Sequence, residues 1–298
     1  MDPDETAQEW MALESKKWKA ASYLQDWLPP HDCLIVIHWM FEYAQDALLN
    51  RSSLYHGLAL FHQFCCKNKV EHTRLQIIAN TCLWIANKFD LNDIQLDFFN
   101  RYNPEADYGD KAKSKKEMLY WDSIILNSLE FEIYYITPMN WLEWYYCQVL
   151  DICQSNNNVF TNEKKQLLAQ LRSKDYPLIW HRMCFLLDMA TMDISFSSVY
   201  KPSQLAAAAF CTGLFGLPSN QNTDLDPLLS SILKDNQTIH KRMRIYLQKW
   251  WDETEARKQL TNYESIHKTS SFYDWNNIVP ILSPHLPTEL PDFWKENK

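Results

Sequence analysis

Only four glycines occur among 298 residues. That leaves almost no material for glycine-rich loops that cradle phosphates, or for the tight turns of β-hairpins. The eight cysteines include no Cys-x-x-Cys pair, so the spacing suggests neither a zinc site nor a dithiol redox motif. Cys33, Cys82, Cys184 and Cys211 fall inside apolar helical patterns and read as buried, reduced thiols of an intracellular protein. No apolar run approaches the ~20 residues needed to span a bilayer. The acidic opening MDPDETAQEW contains no secretory hydrophobic segment, so no membrane association is expected and the sequons at Asn50 and Asn236 read as chance. A net charge of −8 argues against direct nucleic-acid binding, which rests on neutralising phosphates. Asp90, Asp93 and Asp97 have the spacing of a magnesium-binding face, but Asp93 is better explained as a helix N-cap and no partner acidic cluster occurs elsewhere. Neither a metal nor a cofactor is expected. An all-α terpenoid cyclase would need an Asp-Asp-x-x-Asp cluster, and none is present.

What remains is rich in core-forming material. Hydrophobic residues make up 46% and aromatics 14% of the chain, enough for two domains or two repeats sharing an interface. With so little glycine, the pattern points to an all-α protein. An opening helix is expected from about Glu9 to Trp27, stopped by Pro29-Pro30. Asp32 can cap the next helix, and Ser52 or Ser53 begins another. From Arg74 the run RLQIIANTCLWIANKFD has small residues at Ala79, Cys82 and Ala86 and large apolar residues on its other faces. A helix apolar nearly all round is buried, and its small residues let neighbours approach closely. A shorter helix from Asn92 or Asp93, a polar connection over 103–116, and a helix containing Asp122 complete a block of five helices that follows the opening one and ends at Thr137-Pro138. A second set follows, including a second small-residue helix around Ala206 to Ala209. Two blocks of this kind are what duplication of one five-helix unit would look like.

The helix ending Ala86-Asn87-Lys88, the acid Asp122 nine residues before Phe131, and the sequence Leu-Glu-Phe followed by Thr137-Pro138 together resemble the cyclin box. The resemblance covers about residues 20 to 250 and is strongest at RLQIIANTCLWIANK and LLDMATMDISFSSVYKPSQLAAAAFC, both most like D-type cyclins. It implies two tandem five-helix cyclin-box repeats. Residues 1–30 would form an N-terminal helix, 31–138 the kinase-binding box, 139–251 the repeat, and 252–298 a tail.

The resemblance also implies a regulatory subunit and not an enzyme. Cyclins bind a cyclin-dependent kinase and reposition its αC helix. The family's Lys and Glu that hydrogen-bond the kinase backbone match Lys88 and Asp122 here, the latter one methylene shorter than Glu. Ile85, Phe89, Leu126, Phe131 and Ile133 match the kinase-facing apolar positions. A groove that captures Arg-x-Leu peptides would map to Ile35, Trp39, Glu42 and Gln76, with an acid, Asp32, replacing an apolar wall residue. By residue type alone Lys88 and Asp122 are ordinary surface charges, and the apolar set is packing. The surrounding match favours the functional reading.

The run Lys111-Ala-Lys-Ser-Lys-Lys reads as a solvated loop between helices, or as a nuclear localisation patch. A nuclear location, with a cytoplasmic fraction, is expected. Residues 252–298 mix prolines, aromatics and acids, which suits a segment that folds onto transcription machinery or back over a groove. This leaves a second reading, a cyclin-fold adaptor that recruits transcription machinery through its tail without activating a kinase. The Asp122 substitution, the altered docking stretch and the missing Leu-x-Cys-x-Glu motif are similar to a virus-encoded form, of the retroviral kind.

Overall fold

The computed structural model describes residues 3–18, 23–90, 111–154, 176–192, 197–198 and 200–215. Every regular element among these described residues is helical. The chain divides into two compact units, Met1–Met139 with Met192–Lys201, and Asn140–Thr191 with Pro202–Lys298.

In the first unit the expected opening helix is instead α1 (Pro3–Lys17) and a single turn, α2 (Tyr23–Asp26). Tertiary contacts tie down the end of α1. The Lys17 carbonyl accepts from Gln63 Nε2 at 3.3 Å, and Lys17 Nζ donates to the Tyr134 carbonyl at 3.0 Å. Helix α3 (Pro30–Asp46) starts on Pro30 and has no side-chain cap, since proline's missing N–H costs nothing at the first helical position. Asp32, expected as the cap, lies in the first turn and pairs with His72. Helix α4 (Arg51–Lys67) is capped by Asn50 and not by Ser52 or Ser53: Asn50 Oδ1 accepts from the Ser53 N–H at 2.6 Å.

A 3₁₀ turn (His72–Arg74) leads into α5 (Leu75–Asp90), the centre of this unit, which packs against α3, α4 and α6 (Lys111–Ser128). Ala79, Cys82 and Ala86 are fully buried, as are Ile78 and Leu83. Helix α4 approaches closely at Gly57, where an added Cβ would lie 2.7 Å from Leu83 Cδ2 and 3.1 Å from Leu83 Cα. Helix α6 begins at Lys111, so the lysine run expected as a loop is its first turns. Ala and Lys favour helix strongly enough to outweigh cations at the positive end of the dipole. The helix expected from Asn92 or Asp93 lies outside the described residues.

The second unit contains α7 (Pro138–Gln154), α8 (Tyr176–Met192) and α9 (Pro202–Phe215). Its core is aromatic. Trp141 is fully buried and stacks on Tyr145, with ring centroids 5.9 Å apart. Tyr145 also tilts against Phe210 of α9 and donates its hydroxyl to the Ser203 carbonyl at 3.3 Å. Tyr146 meets Trp180 of α8 with centroids 5.0 Å apart. Ala206 to Ala209 are buried, and Gly213 lets α9 approach Met183 at backbone distance, 3.0 Å from an added Cβ to Met183 Cα. The other helices expected between 155 and 251, and the tail 252–298, lie outside the described residues.

Candidate functional site

Lys88 sits in the last turn of α5 and Asp122 in the middle of α6, and the packing of these two helices brings them together. Lys88 Nζ donates to Asp122 Oδ1 at 2.8 Å, with the two side chains 31% and 16% exposed. One turn back along α5, the Trp84 ring centroid lies 5.0 Å from the same ammonium. The cation is thus held by a carboxylate, a π-face and the negative end of its own helix. An ammonium carries three donors. Among the described residues, one of these is used.

Beside this pair the surface is apolar. Phe89 is 46% exposed and Phe131 66%. Tyr134 is exposed too, its ring centroid 6.2 Å from that of Phe89. Leu126 and Ile133 are half-buried, whereas Ile85 is only 2% exposed. Ile85 shares the core-facing stripe of α5 with Ile78 and Cys82, so its side chain supports this surface from beneath and does not lie on it. Phe89 emerges one turn later, at the helix end.

Phe131 is presented outward on a strained turn. Glu130 and Phe131 both adopt left-handed φ, 55° and 57°, at a cost of roughly 1–2 kcal/mol each for residues bearing a Cβ. The turn is fastened from both sides. The Phe131 N–H donates to the Leu126 carbonyl at 2.9 Å. Lys67 Nζ donates to the Ser128 carbonyl at 3.0 Å and lies 3.5 Å from Glu130 Oε1. Asn68 Nδ2 donates to Ser128 Oγ at 2.6 Å. Farther along, Lys17 grips the segment through the Tyr134 carbonyl, with Glu132 Oε2 at 3.6 Å. Burial, with the Glu132 carboxylate adding to it, pushes the Tyr135 phenol up to about 12. The sequence singles out none of Lys17, His56, Lys67 or Asn68. Each acts through contacts more than 40 positions away, and a local pattern carries no signal for those.

The residues of the expected peptide groove lie on α3 and at the start of α5. Ile35, Trp39 and Glu42 share one face of α3. Ile35 is 55% exposed, and Trp39 stacks on Tyr43 with centroids 5.2 Å apart. Gln76 is half-buried at the start of α5. At the foot of this face His72 Nδ1 lies 3.1 Å from Asp32 Oδ2. The acid that replaces an apolar wall residue therefore bridges α3 to the turn before α5. The Asp93 and Asp97 positions and the 252–298 segment lie outside the described residues.

Two family profiles match the chain, the cyclin N-terminal domain over residues 10–134 and the cyclin C-terminal domain over residues 136–273. Among curated proteins, the G2/mitotic-specific cyclin-1 of Saccharomyces cerevisiae is 28% identical, over 36% of this chain and 22% of its own. The G1/S-specific cyclin-E of Drosophila melanogaster is 27% identical over 61% of this chain and 25% of its own. The G2/mitotic-specific cyclin-B2 of Rana japonica is 23% identical over 70% and 50%. The matches thus span between about a quarter and a half of the length of these relatives. A solved viral cyclin from herpesvirus saimiri aligns with a TM-score of 0.55 at 13% identity, covering 92% of this chain and all of that one. At that identity the likeness carries the fold. The chain belongs to the cyclin family, with N- and C-terminal cyclin domains in tandem.

Proposed function

We propose that this chain is the regulatory subunit of a cyclin-dependent kinase, acting chiefly in the nucleus. Lys88 and Asp122 hydrogen-bond the kinase main chain beside its αC helix, and Phe89, Phe131 and Ile133 pack against the helix itself. Pressing αC inward brings the kinase's Lys–Glu ion pair and metal-binding Asp into register. The chain contributes no chemistry of its own to phosphoryl transfer. The observation that carries this reading is the half-buried Lys88–Asp122 pair set beside large apolar side chains left in solvent. Exposed aromatics flanking a preorganised charge pair mark a surface that gains by being covered.

The test is binding of the full chain to a panel of purified cell-cycle and transcriptional cyclin-dependent kinases, wild type against Lys88→Glu. A charge-assisted hydrogen bond is worth roughly 1.5–3 kcal/mol, so its loss weakens binding about ten- to a hundredfold. We expect at least that, since Glu also repels Asp122, with the thermal midpoint little changed. Equal binding by both proteins would remove the clamp.

The direct bond from Lys88 to the short Asp122 carboxylate favours a second reading, an adaptor that holds a kinase without reordering αC. Kinase activity in the purified complex separates the two. A complex that forms with no gain in substrate phosphorylation supports the adaptor.

A further inference from the structure

The proposed surface rests partly on a segment with no regular structure of its own. Residues 132–137 belong to neither α6 nor α7, yet Ile133 and Tyr134 lie there, next to two strained residues. Chain of this kind samples many conformations unless something orders it.

His56 of α4, only 4% exposed, reaches this segment from the core. Its Nε2 lies 2.6 Å from the Ile133 carbonyl oxygen. A carbonyl can only accept, so Nε2 carries the proton. The same ring also meets Phe89, with centroids 5.0 Å apart and planes at 79°, the edge-to-face arrangement that aromatic quadrupoles favour. Phe89 in turn leans on Tyr134, and the Ile133 N–H donates to the Phe131 carbonyl at 3.0 Å. One buried side chain therefore ties the end of α5 to the backbone that presents Phe131 and Tyr134. An aliphatic residue at position 56 would fill the space while leaving the Ile133 carbonyl without this donor. Lys17 and Lys67 also hold the segment through their ammonium groups, but neither touches Phe131 or Ile133, and Lys67 does so from a partly exposed position where water competes.

We infer that His56 is a positioning residue for the partner-binding surface, fixing Phe89 and the Phe131–Tyr134 segment in one arrangement through its Nε2–H and its ring contact with Phe89. The consequence for binding rests on the kinase-binding reading; the ordering of the segment does not.

Full-length wild type, His56→Leu, His56→Asn and His56→Gln are compared by amide hydrogen exchange and by affinity for whichever purified cyclin-dependent kinases bind wild type. The amides of Phe131, Glu132 and Ile133 each donate to backbone carbonyls and report on the segment. Amides of α5 around Ile78 report on the core. The Gln amide places a donor where Nε2 stands, whereas the shorter Asn falls short of it. Leu and Asn should speed exchange of the three amides about tenfold relative to α5 and weaken kinase binding by a similar factor, with Gln restoring both, since a lost hydrogen bond is worth roughly a factor of ten. Unchanged exchange, equal acceleration in α5, or failure of Gln to restore where Asn fails would overturn the assignment. If wild type binds no kinase in the panel, the proposed function fails, and the exchange pattern alone still decides the role of His56.

Discussion

Lys88 Nζ meets Asp122 Oδ1 at 2.8 Å across 34 positions of sequence, tying the end of α5 to the middle of α6. Both groups proposed to meet a kinase main chain are thus ordered before any partner arrives, and little side-chain entropy is left to lose on binding. Within the free chain the pair is worth little, because partly exposed ion pairs contribute roughly 0–1 kcal/mol.

This separation of roles is measurable. Asp122→Asn should change unfolding free energy by less than about 1 kcal/mol while weakening kinase binding about tenfold. Asp122→Glu, which restores the family's residue, should bind at least as tightly as wild type. Denaturant melts and binding isotherms on the same preparations check both, and a loss of stability as large as the loss of affinity would contradict it.

The turn at Glu130 and Phe131 carries strain that a glycine would relieve. Glu130→Gly keeps Phe131 and removes the Cβ that opposes φ of 55°. Its ion pair with Lys67, a residue half in solvent, is 3.5 Å long and contributes little. We expect a gain of about 1 kcal/mol in stability. Phe131→Gly should also relieve strain but abolish the apolar contact, so it should stabilise the chain and weaken kinase binding together. Calorimetry beside a binding assay distinguishes these outcomes.

The helices of the core were legible in sequence for a physical reason. Ala79, Cys82 and Ala86, and Ala206 to Ala209, could be small only where another helix comes close, and all are buried. Starts and stops were less legible. Asn50 displaced Ser52 and Ser53 as the cap by reaching one N–H at 2.6 Å, and at the end of α1 a distant side chain, Gln63, took up the Lys17 carbonyl. At the site, Lys88 and Asp122 stood out through spacing. Their mutual bond, the burial of Ile85 and the place of His56 depend on helix packing, which spacing does not encode.

Gly57 tests that packing directly. An Ala Cβ there would sit 2.7 Å from the movable end of Leu83 and 3.1 Å from its Cα. Helix propensity favours Ala over Gly by about 1 kcal/mol, while overpacking a tight contact costs roughly 1–3 kcal/mol. Gly57→Ala should therefore destabilise wild type by about 1 kcal/mol. In a Leu83→Ala background the closest atom is gone, and the same substitution should be neutral or stabilising. A double-mutant cycle from chemical unfolding should show a coupling of about 1 kcal/mol or more. Additive effects would mean that α4 and α5 are not in contact at this point.

His38 on α3 sets an acid limit on the fold. Burial lowers its pKa from 6.5 to about 4, because the imidazolium loses its hydration in the folded chain. The unfolded chain binds this proton more readily than the folded one between these two values. Stability is therefore fully present above pH 6.5, declines as pH falls toward 4, and below that stays reduced with no further change from this group. The gap of about 2.5 pH units corresponds to about 3 kcal/mol at most. Carboxylates add their own slope below pH 5, so the measurement is a difference. Urea unfolding of wild type and His38→Phe should diverge as pH drops from 7 to 5, with the variant losing less stability. Parallel curves across that window would show that His38 is as well solvated in the folded chain as in the unfolded one.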